Sequence, residues 1–220
     1  MMKVVISLGL ALWVAVFVGG SLFLSAGRLD IPFFWANSLV WISSIIVLGL
    51  NMDLDLMRER SRGGGTQGKL RQIFGLPALA SHFIVAGLDI GRYHWSDSVP
   101  KGLQVVSIAG VAAGFGLLSW ALYANRYFVK ELRIQEERGH ELVTSGPYRY
   151  IRHPGYAGFT IIFLISGLAL GSWLSFLLGV GIGLYFVWRT AIEDLFLHEN
   201  LEGYTDYVEK VQYRLIPGLW

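Results

Sequence analysis

The sequence predicts an all-α integral membrane protein with about six membrane-inserted helices, four spans followed by a carboxyl-terminal helical hairpin. Of its 220 residues, 54% are hydrophobic and only 15% are charged, whereas about a quarter are charged in an ordinary soluble domain. The charges are also unevenly distributed, because runs without Asp, Glu, Lys or Arg occupy residues 4–27, 31–52, 72–88, 102–125 and 153–188. Each of the first four runs is long enough for one transmembrane helix, and the fifth is long enough for two.

The composition excludes several kinds of site. The chain has no cysteine, which excludes disulfides, thiolate nucleophiles and thiolate metal ligands. His198 and Glu199 lack the second histidine of a zinc-protease motif, and the other histidines are scattered, so no metal site is predicted. A net charge of +2 is too small to indicate nucleic-acid binding.

The first two spans are predicted to form a helical hairpin. The apolar run at residues 4–26 is longer than the roughly 7 to 15 residues of a signal-peptide core, so we expect it to remain as a span. A turn with Arg28 and Asp30 follows, and residues 31–50 form the second span, with early aromatic residues suited to a membrane interface.

Residues 51–72, NMDLDLMRERSRGGGTQGKLRQ, are predicted to be a flexible, basic cytoplasmic loop, because five basic residues surround a glycine-rich centre. A phosphate-binding loop is not indicated, since no strand precedes the glycines and no Lys-Ser/Thr pair follows them in register.

The third and fourth spans are predicted at residues 73–91 and 102–125. His82 and Asp89 are seven residues apart in the third span and therefore share one helical face. Such residues can line a cavity, but hydrogen bonding between helices is the favoured role.

The carboxyl-terminal half, residues 126–220, begins with a polar segment at 126–152 that is too charged to cross a bilayer. The apolar run at 159–188 would be about 45 Å long as one helix, against a hydrocarbon core of about 30 Å. Gly171 and Ser172 near its middle predict a break into a hairpin, after which the last helix continues into an amphipathic tail.

The distribution of basic residues predicts the orientation. With the amino terminus inside, only Arg28, Arg92 and Lys101 of the 18 Lys and Arg residues lie outside, which agrees with the positive-inside rule. Both termini and both polar carboxyl-terminal segments are therefore predicted to be cytoplasmic, where the two segments can build one site.

The first of these segments contains the densest polar cluster, LVTSGPYRYIRHPGYAG at residues 142–158. Its Gly146-Pro147 pair predicts a turn, while Pro154 suits the first turn of the next helix with His153 as its cap. The positive end of that helix, with Arg149 and Arg152 nearby, is suited to an anion.

Three tyrosines in this cluster, Tyr148, Tyr150 and Tyr156, offer flat surfaces that can pack a nucleobase or shield a sulfonium. The alternative is that these arginines and tyrosines only anchor the chain at the membrane interface.

The second polar segment contains Arg189, Glu193, Asp194 and His198 directly after the last span. An Arg and Glu pair at i, i+4 can serve only to stabilise the helix. Its position at the membrane surface, facing the first cluster if the hairpin closes, favours a functional role.

The stretch HELVTSGPYRYIRHPGYAG resembles the G-P-Y-x-x-x-R-H-P-x-Y-x-G hallmark of the isoprenylcysteine carboxyl methyltransferase family. The stretch RTAIEDLFL, with the later GYTDY and RLIPG, is similar to the R-x-x-x-E-E tail of that family. The match covers about residues 126–220, which are therefore expected to form the methyltransferase core. Residues 1–125 are expected to form a region of four transmembrane helices, which carry no matching motif.

The resemblance implies an integral membrane methyltransferase that uses S-adenosylmethionine in a cytoplasm-facing pocket without a Rossmann domain, and that receives a lipid-like substrate from the bilayer. Arg189 matches the substrate-side arginine of the family, and Arg152 is the other candidate to orient the acceptor. Glu193 completes the set of expected catalytic residues. Carried over by position, the cofactor contacts are His140, Glu141, Leu142, Val143, Tyr148, His153, Pro154, Gly155, Tyr156 and Glu193.

Two positions depart from the family pattern. Asp194 stands where a second glutamate is common, and Arg133 stands where a glutamine can contact the cofactor, with Gln135 two residues later. The second contact therefore stays unassigned, and neither change removes the implied chemistry.

Several acceptors and two other functions remain open from the sequence. A carboxylate acceptor, such as a prenylcysteine, needs no general base, whereas an amine or thiol requires Glu193, Asp194 or His198 as a base. Phospholipid headgroups, quinone-like lipids and small thiols are further acceptors. An NADPH-dependent sterol or enone reductase is the alternative enzyme, and a transporter or scaffold subunit is the alternative without catalysis.

Overall fold

A computed structural model describes residues 2–61 and 65–220, with the backbone alone for residues 65–72. Every regular element in these described ranges is helical, which confirms the all-α prediction. Short π-helical turns lie within the first helix, at Ala15–Gly19, and after the fourth, at Asp89–Tyr93. The α-helices are α1 Met2–Ala26, α2 Pro32–Asn51, α3 Leu54–Ser61, α4 Gly65–Leu88, α5 Lys101–Ala124, α6 Pro154–Ala169, α7 Trp173–Asn200 and α8 Tyr204–Lys210.

Five helical segments of the described chain are long and apolar enough to cross a membrane, namely α1, α2, Ile73–Tyr93, α5 and α7. These agree with a multi-pass integral membrane protein. Helix α6 has 16 residues and is about 24 Å long, which is shorter than the hydrocarbon core of a typical bilayer. The predicted number of six membrane-inserted helices therefore stays a prediction.

The predicted break in the last apolar run is confirmed. Helix α6 ends at Ala169 and α7 begins at Trp173. Gly171 adopts a positive φ of 82°, a conformation that glycine reaches without strain. Ser172 caps α7, because its side chain accepts a hydrogen bond from the Ser175 N–H at 3.0 Å. The chain thus reverses and brings the end of α7 back beside the start of α6.

Close helix contacts hold this hairpin against α5. A Cβ atom on Gly158 of α6 would lie 2.8 Å from the carbonyl oxygen of Gly114 of α5, so this crossing requires glycine. The packing crosses the predicted boundary between residues 1–125 and 126–220, and that division of the sequence stays a prediction.

The two polar residues of the third span join helices, as expected. The His82 ring lies between Ser166 of α6 and Ser175 of α7, with nitrogen-to-hydroxyl distances of 2.8 and 3.0 Å. Asp89 accepts a hydrogen bond from the Ser172 hydroxyl. Both side chains are fully buried, so these bonds tie α4 to the hairpin.

The prediction of a flexible loop at residues 51–72 is wrong for its described part. Residues 54–61 form α3, whose first turn is capped by the Asp53 carboxylate accepting the Asp55 N–H at 3.0 Å. Leu56 and Met57 are buried, and burial of this apolar face adds to the high helix propensity of Leu, Met, Arg and Glu in α3. The backbone of α4 begins at Gly65, while residues 62–64 of the predicted loop lie outside the described residues.

Candidate active site

A cleft lies at one end of the bundle, where the irregular chain after α5 meets the start of α6, the end of α7 and α8. Together with its open mouth, the cleft encloses about 680 Å³ of space not filled by protein atoms. Its lining comprises Asn125, Tyr127, Phe128, Val129, Glu131, Leu132, Arg133, His140, Glu141, Leu142, Val143, Tyr148, Arg152, His153, Gly155, Tyr156, Glu193, Phe196, Leu197, Leu201, Tyr204 and Tyr207.

The cleft brings together most of the predicted site residues, which lie far apart in the sequence. Every expected cofactor contact except Pro154 lies on its lining, as does Arg152. Arg189 is not on the lining, and neither is His198, whose residue is exposed. Tyr150 also lies outside, with 62% of its surface exposed and its ring 6.4 Å from that of Trp120.

Asp194 forms the buried centre of one side of the site. The Arg152 guanidinium binds it at two points, with Nε 2.7 Å from Oδ1 and Nη2 3.0 Å from Oδ2. Arg214 Nε donates to Oδ2 at 2.7 Å, and the Tyr204 hydroxyl donates to Oδ1 at 2.8 Å. His153 Nε2 lies 3.0 Å from Oδ1. One carboxylate therefore joins α7 to α8, the tail and the start of α6.

The anion expected near Arg152 is thus supplied by the chain itself. Arg152 also donates from Nη1 to the carbonyl oxygens of Val211 and Gln212, at 2.7 and 2.8 Å. Since all three of its nitrogens are engaged and its side chain is 4% exposed, its geometry suits positioning rather than contact with an acceptor.

His153 occupies the N-cap position of α6, as predicted, but its side chain makes no capping hydrogen bond. The ring turns instead to Asp194 and to the Tyr204 hydroxyl, 3.2 Å from Nε2, because a hydrogen bond to an ionised carboxylate is stronger than one between neutral groups. The first turn of α6 stays open toward the cleft at Gly155, which lies on the lining.

Gly155 lets an aromatic wall approach the helix closely. A Cβ atom at this position would lie 2.4 Å from Cε1 of Phe128, so any larger residue displaces that ring. Phe128 in turn packs edge-on against Tyr156, with ring centroids 5.6 Å apart.

A second polar group lies where α7 enters the cleft. The Tyr156 hydroxyl donates to Glu193 Oε2 at 2.6 Å, and Arg189 Nη2 lies 3.7 Å from the same oxygen. Arg189 also donates to the carbonyl oxygen of Lys130 at 3.4 Å. Arg189 therefore lies directly behind Glu193, one helical turn nearer the apolar part of α7.

The opposite side of the cleft is formed by a strip without regular secondary structure at residues 140–143. His140 stacks on Tyr127, with centroids 4.5 Å apart, and its Nδ1 accepts the Gln135 N–H at 3.3 Å. Burial lowers the pKa of His140, and the positive charges of Arg138 and Arg133 lower it further. The ring is thus neutral at pH 7 with its proton on Nε2, because Nδ1 must be free to accept.

The strip also carries unused backbone groups. Within the described residues, the N–H and C=O groups of Glu141, Leu142 and Val143 make no backbone hydrogen bond. Such groups retain their capacity for a ligand. Burial raises the pKa values of Tyr148 and Tyr207, so these phenols stay protonated, and Tyr207 donates its hydroxyl to the Tyr148 carbonyl at 2.6 Å.

Sequence reasoning missed several lining residues. Tyr204 and Tyr207 belong to the GYTDY stretch of the tail. That stretch supported the family resemblance, but no role was assigned to either tyrosine. No sequence pattern pointed to Tyr127, Phe128 or Glu131, because the segment after α5 has no periodic distribution of apolar residues. Gln135 is not on the lining. It is fully buried and donates to the Tyr127 carbonyl at 2.7 Å, whereas Arg133 does line the cleft.

Comparison with known proteins shows which families the chain resembles. Residues 103–202 match the family model described as phospholipid methyltransferase. The chain is 33% identical over 112 residues to a probable protein-S-isoprenylcysteine O-methyltransferase of Oryza sativa subsp. indica, covering 50% of this chain and 56% of the relative. The chain therefore spans little more than half the length of that relative.

Two further relatives extend the comparison. The protein-S-isoprenylcysteine O-methyltransferase of Schizosaccharomyces pombe is 28% identical over 185 residues, which cover 81% of this chain and 72% of the relative. The nickel-cobalt-cadmium resistance protein NccN of Alcaligenes xylosoxydans xylosoxydans is 27% identical over 143 residues, covering 64% and 62%. The resemblance predicted from the sequence is thus confirmed: the chain carries the phospholipid methyltransferase pattern over residues 103–202 and is similar to protein-S-isoprenylcysteine O-methyltransferases.

Proposed function

We propose that the protein transfers a methyl group from S-adenosylmethionine to the carboxylate of a lipid-like, prenylcysteine-type acceptor, at the cytoplasmic surface of the membrane. The observation that carries this proposal is the convergence of His140–Val143, Tyr148, His153, Gly155, Tyr156 and Glu193 on one cleft at the end of a membrane bundle. The names of the relatives support the same activity.

The residues of the cleft fit the proposed cofactor. The unused backbone groups of residues 141–143 suit the hydrogen-bonding edge of an adenine, and the flat face of Tyr148 suits its ring. Glu193, whose side chain is 15% exposed, presents a negative charge for the cationic part of the ligand. The neutral His140 adds no repulsion.

The proposed reaction requires little proton transfer by protein side chains. When bound, the cofactor supplies a methyl group on a positively charged sulfur that a nucleophile can attack directly. Glu193 and the Tyr156 hydroxyl hold the donor side, while Arg189, directly behind Glu193, is placed to orient an acceptor carboxylate arriving from the apolar side of α7. Alignment of this kind can contribute about 7 to 11 kcal/mol to lowering the barrier.

The bonding of the cleft favours a carboxylate acceptor over an amine or a thiol. Asp194 already accepts hydrogen bonds from Arg152, Arg214 and Tyr204, and His198 is not on the lining. Glu193 accepts from Tyr156. Asp194 is thus engaged, His198 is distant, and Glu193 is the group that holds the donor side, whereas a carboxylate acceptor needs no base at neutral pH.

The first test is calorimetric titration of the purified, detergent-solubilised protein with S-adenosylhomocysteine, with NADPH in parallel. Saturable binding of S-adenosylhomocysteine alone is expected. Binding of NADPH alone would favour the reductase instead, and binding of neither would favour a transporter or scaffold.

The acceptor is tested separately with radiolabelled methyl donor in vesicles. A farnesylated cysteine derivative with a free carboxylate is compared with its amide and with phosphatidylethanolamine. Labelling of the free carboxylate alone is expected. Labelling of the phospholipid would instead identify the headgroup amine as the acceptor.

A further inference from the structure

We propose that α3, a helix of the amino-terminal half, positions the cofactor wall of the cleft, meaning residues 125–143, and that Glu59 is its main positioning residue. This inference rests on the proposed function for the identity of the ligand. No motif marks α3, and its sequence predicted a flexible loop.

The wall needs an external support because it has almost no regular structure. Between the end of α5 and the start of α6, the chain forms only the short 3₁₀ turns Glu136–Arg138 and Gly146–Arg149. Backbone ladders therefore do not determine where its cleft-lining residues lie. The internal bonds of Gln135 and Tyr127 hold the wall together, but they do not attach it to the bundle.

Helix α3 provides that attachment through one of its faces. Asp55 and Glu59 are at i and i+4, so both point the same way. Glu59 Oε2 lies 3.1 Å from Arg133 Nη2, and Asp55 Oδ2 accepts from Nη2 and Nε of Arg138 at 2.5 and 3.0 Å. Arg133 lies just before the first 3₁₀ turn, and Arg138 is the last residue of that turn.

The next residue of α3 adds a third connection. Arg60 donates from Nη1 to the carbonyl oxygen of Phe128 at 2.8 Å, and its guanidinium lies 5.5 Å from the centre of the Phe128 ring. Phe128 is the ring that packs against Gly155. The helix thus holds the wall at residues that line the cleft, Arg133 and Phe128, and at Arg138, two residues before His140.

Burial decides which ion pair matters most. The Glu59 side chain is 6% exposed, whereas that of Asp55 is 61% exposed. An exposed carboxylate is screened by water and contributes little, whereas a buried carboxylate depends on its partner for compensation. Arg133 is 37% exposed and also donates to Glu137 at 2.5 Å, so Glu59 is the buried member of the pair and holds Arg133 on the side of α3. We therefore assign the positioning role to Glu59 and a minor one to Asp55.

The test compares Glu59→Gln with Glu136→Gln, a matched change at an exposed residue of the wall that has no ion pair among the described side chains. In Glu59→Gln, the affinity for S-adenosylhomocysteine is expected to fall about fivefold to tenfold. The KM for the methyl donor should rise while kcat at saturating donor is retained. Glu136→Gln should resemble the wild type.

A double-variant cycle identifies the partner. Because Arg133→Gln removes the same ion pair, adding Glu59→Gln to it should weaken binding little further. Full additivity of the two changes would overturn the assignment, as would a Glu59→Gln protein with wild-type affinity.

Hydrogen–deuterium exchange of the ligand-free protein separates this inference from the proposed function. In Glu59→Gln the amides of residues 126–143 should exchange faster, while those of α5 and α7 keep their wild-type rates. If they do so in a protein that does not bind S-adenosylhomocysteine, the positioning role stands and the proposed function fails. Unchanged exchange in residues 126–143 would overturn the positioning role whatever the ligand.

Discussion

Arg152 and Asp194 face each other across the base of the cleft in a two-point ion pair, with nitrogen–oxygen distances of 2.7 and 3.0 Å. Their side chains are 4% and 7% exposed. Because the pair is buried, removing one partner leaves an uncompensated charge, whereas the net stabilisation from the intact pair is small.

We therefore expect Asp194→Asn to destabilise the protein by about 3 to 5 kcal/mol. The amide also leaves Arg214 without its carboxylate. A thermal unfolding scan in detergent should show a lower Tm, with Asp206→Asn, an exposed change on α8, keeping the wild-type value. Equal Tm values for the two variants would show that the cluster is not a structural centre.

Glu193→Gln is expected to weaken S-adenosylhomocysteine binding by about tenfold or more, because the loss of a charge-assisted contact corresponds to about 1.5 to 3 kcal/mol. The variant should retain its fold, since the Tyr156 hydroxyl can still donate to the amide oxygen. Calorimetric titration measures the change, and Glu199→Gln, an exposed residue of the same helix, is the control. Wild-type affinity in Glu193→Gln would remove this residue from the cofactor site.

Arg189→Ala is expected to lower kcat/KM for the methyl acceptor by about 10-fold to 100-fold while leaving S-adenosylhomocysteine affinity within about twofold. The reason is its position behind Glu193 and off the lining of the cleft. Initial rates with varied acceptor, together with calorimetry, distinguish the two effects. A parallel loss of cofactor affinity would contradict a role on the acceptor side.

Gly155→Ala is expected to displace Phe128 and to weaken cofactor binding, because the new methyl group would lie 2.4 Å from the ring. Overpacking of this kind costs about 1 to 3 kcal/mol. The control is Gly116→Ala in α5, where no neighbouring atom lies within 4 Å. That change should keep wild-type binding and stability, or raise stability slightly, since alanine favours a helix interior.

The lowered pKa of His140 predicts a contribution to the pH dependence of stability. Between its folded pKa and the unfolded value of about 6.5, the unfolded chain binds a proton that the folded chain does not. Stability is therefore fully present above about pH 6.5 and is lost as the pH falls through that window.

In His140→Gln, Tm should accordingly fall less between pH 7 and pH 5 than it does in the wild-type protein. Thermal scans at closely spaced pH values measure the difference, with His198→Gln as the matched change at an exposed histidine. An identical decline in the wild-type and His140→Gln proteins would exclude a half-buried His140 with a lowered pKa.

The sequence by itself determined the membrane class, the hairpin and most of the candidate site. Long uncharged runs predict transmembrane helices, because in lipid the backbone N–H and C=O groups must form their hydrogen bonds within the protein, as they do in a helix. Gly171 and Ser172 marked the reversal, and two short motifs marked cleft residues that lie far apart in the chain.

Only the tertiary structure decided how these residues are used. Arg152 and Asp194 are 42 positions apart, and nothing local shows that each neutralises the other instead of serving a ligand. The sequence around Glu59 and the cofactor wall at residues 125–143 have no periodic pattern. The position of helix α3 and its ion pairs is therefore decided by burial and by pairing between charges that lie far apart in the chain. Local propensity cannot report such contacts, because their energy depends on neighbours that only the folded chain brings together.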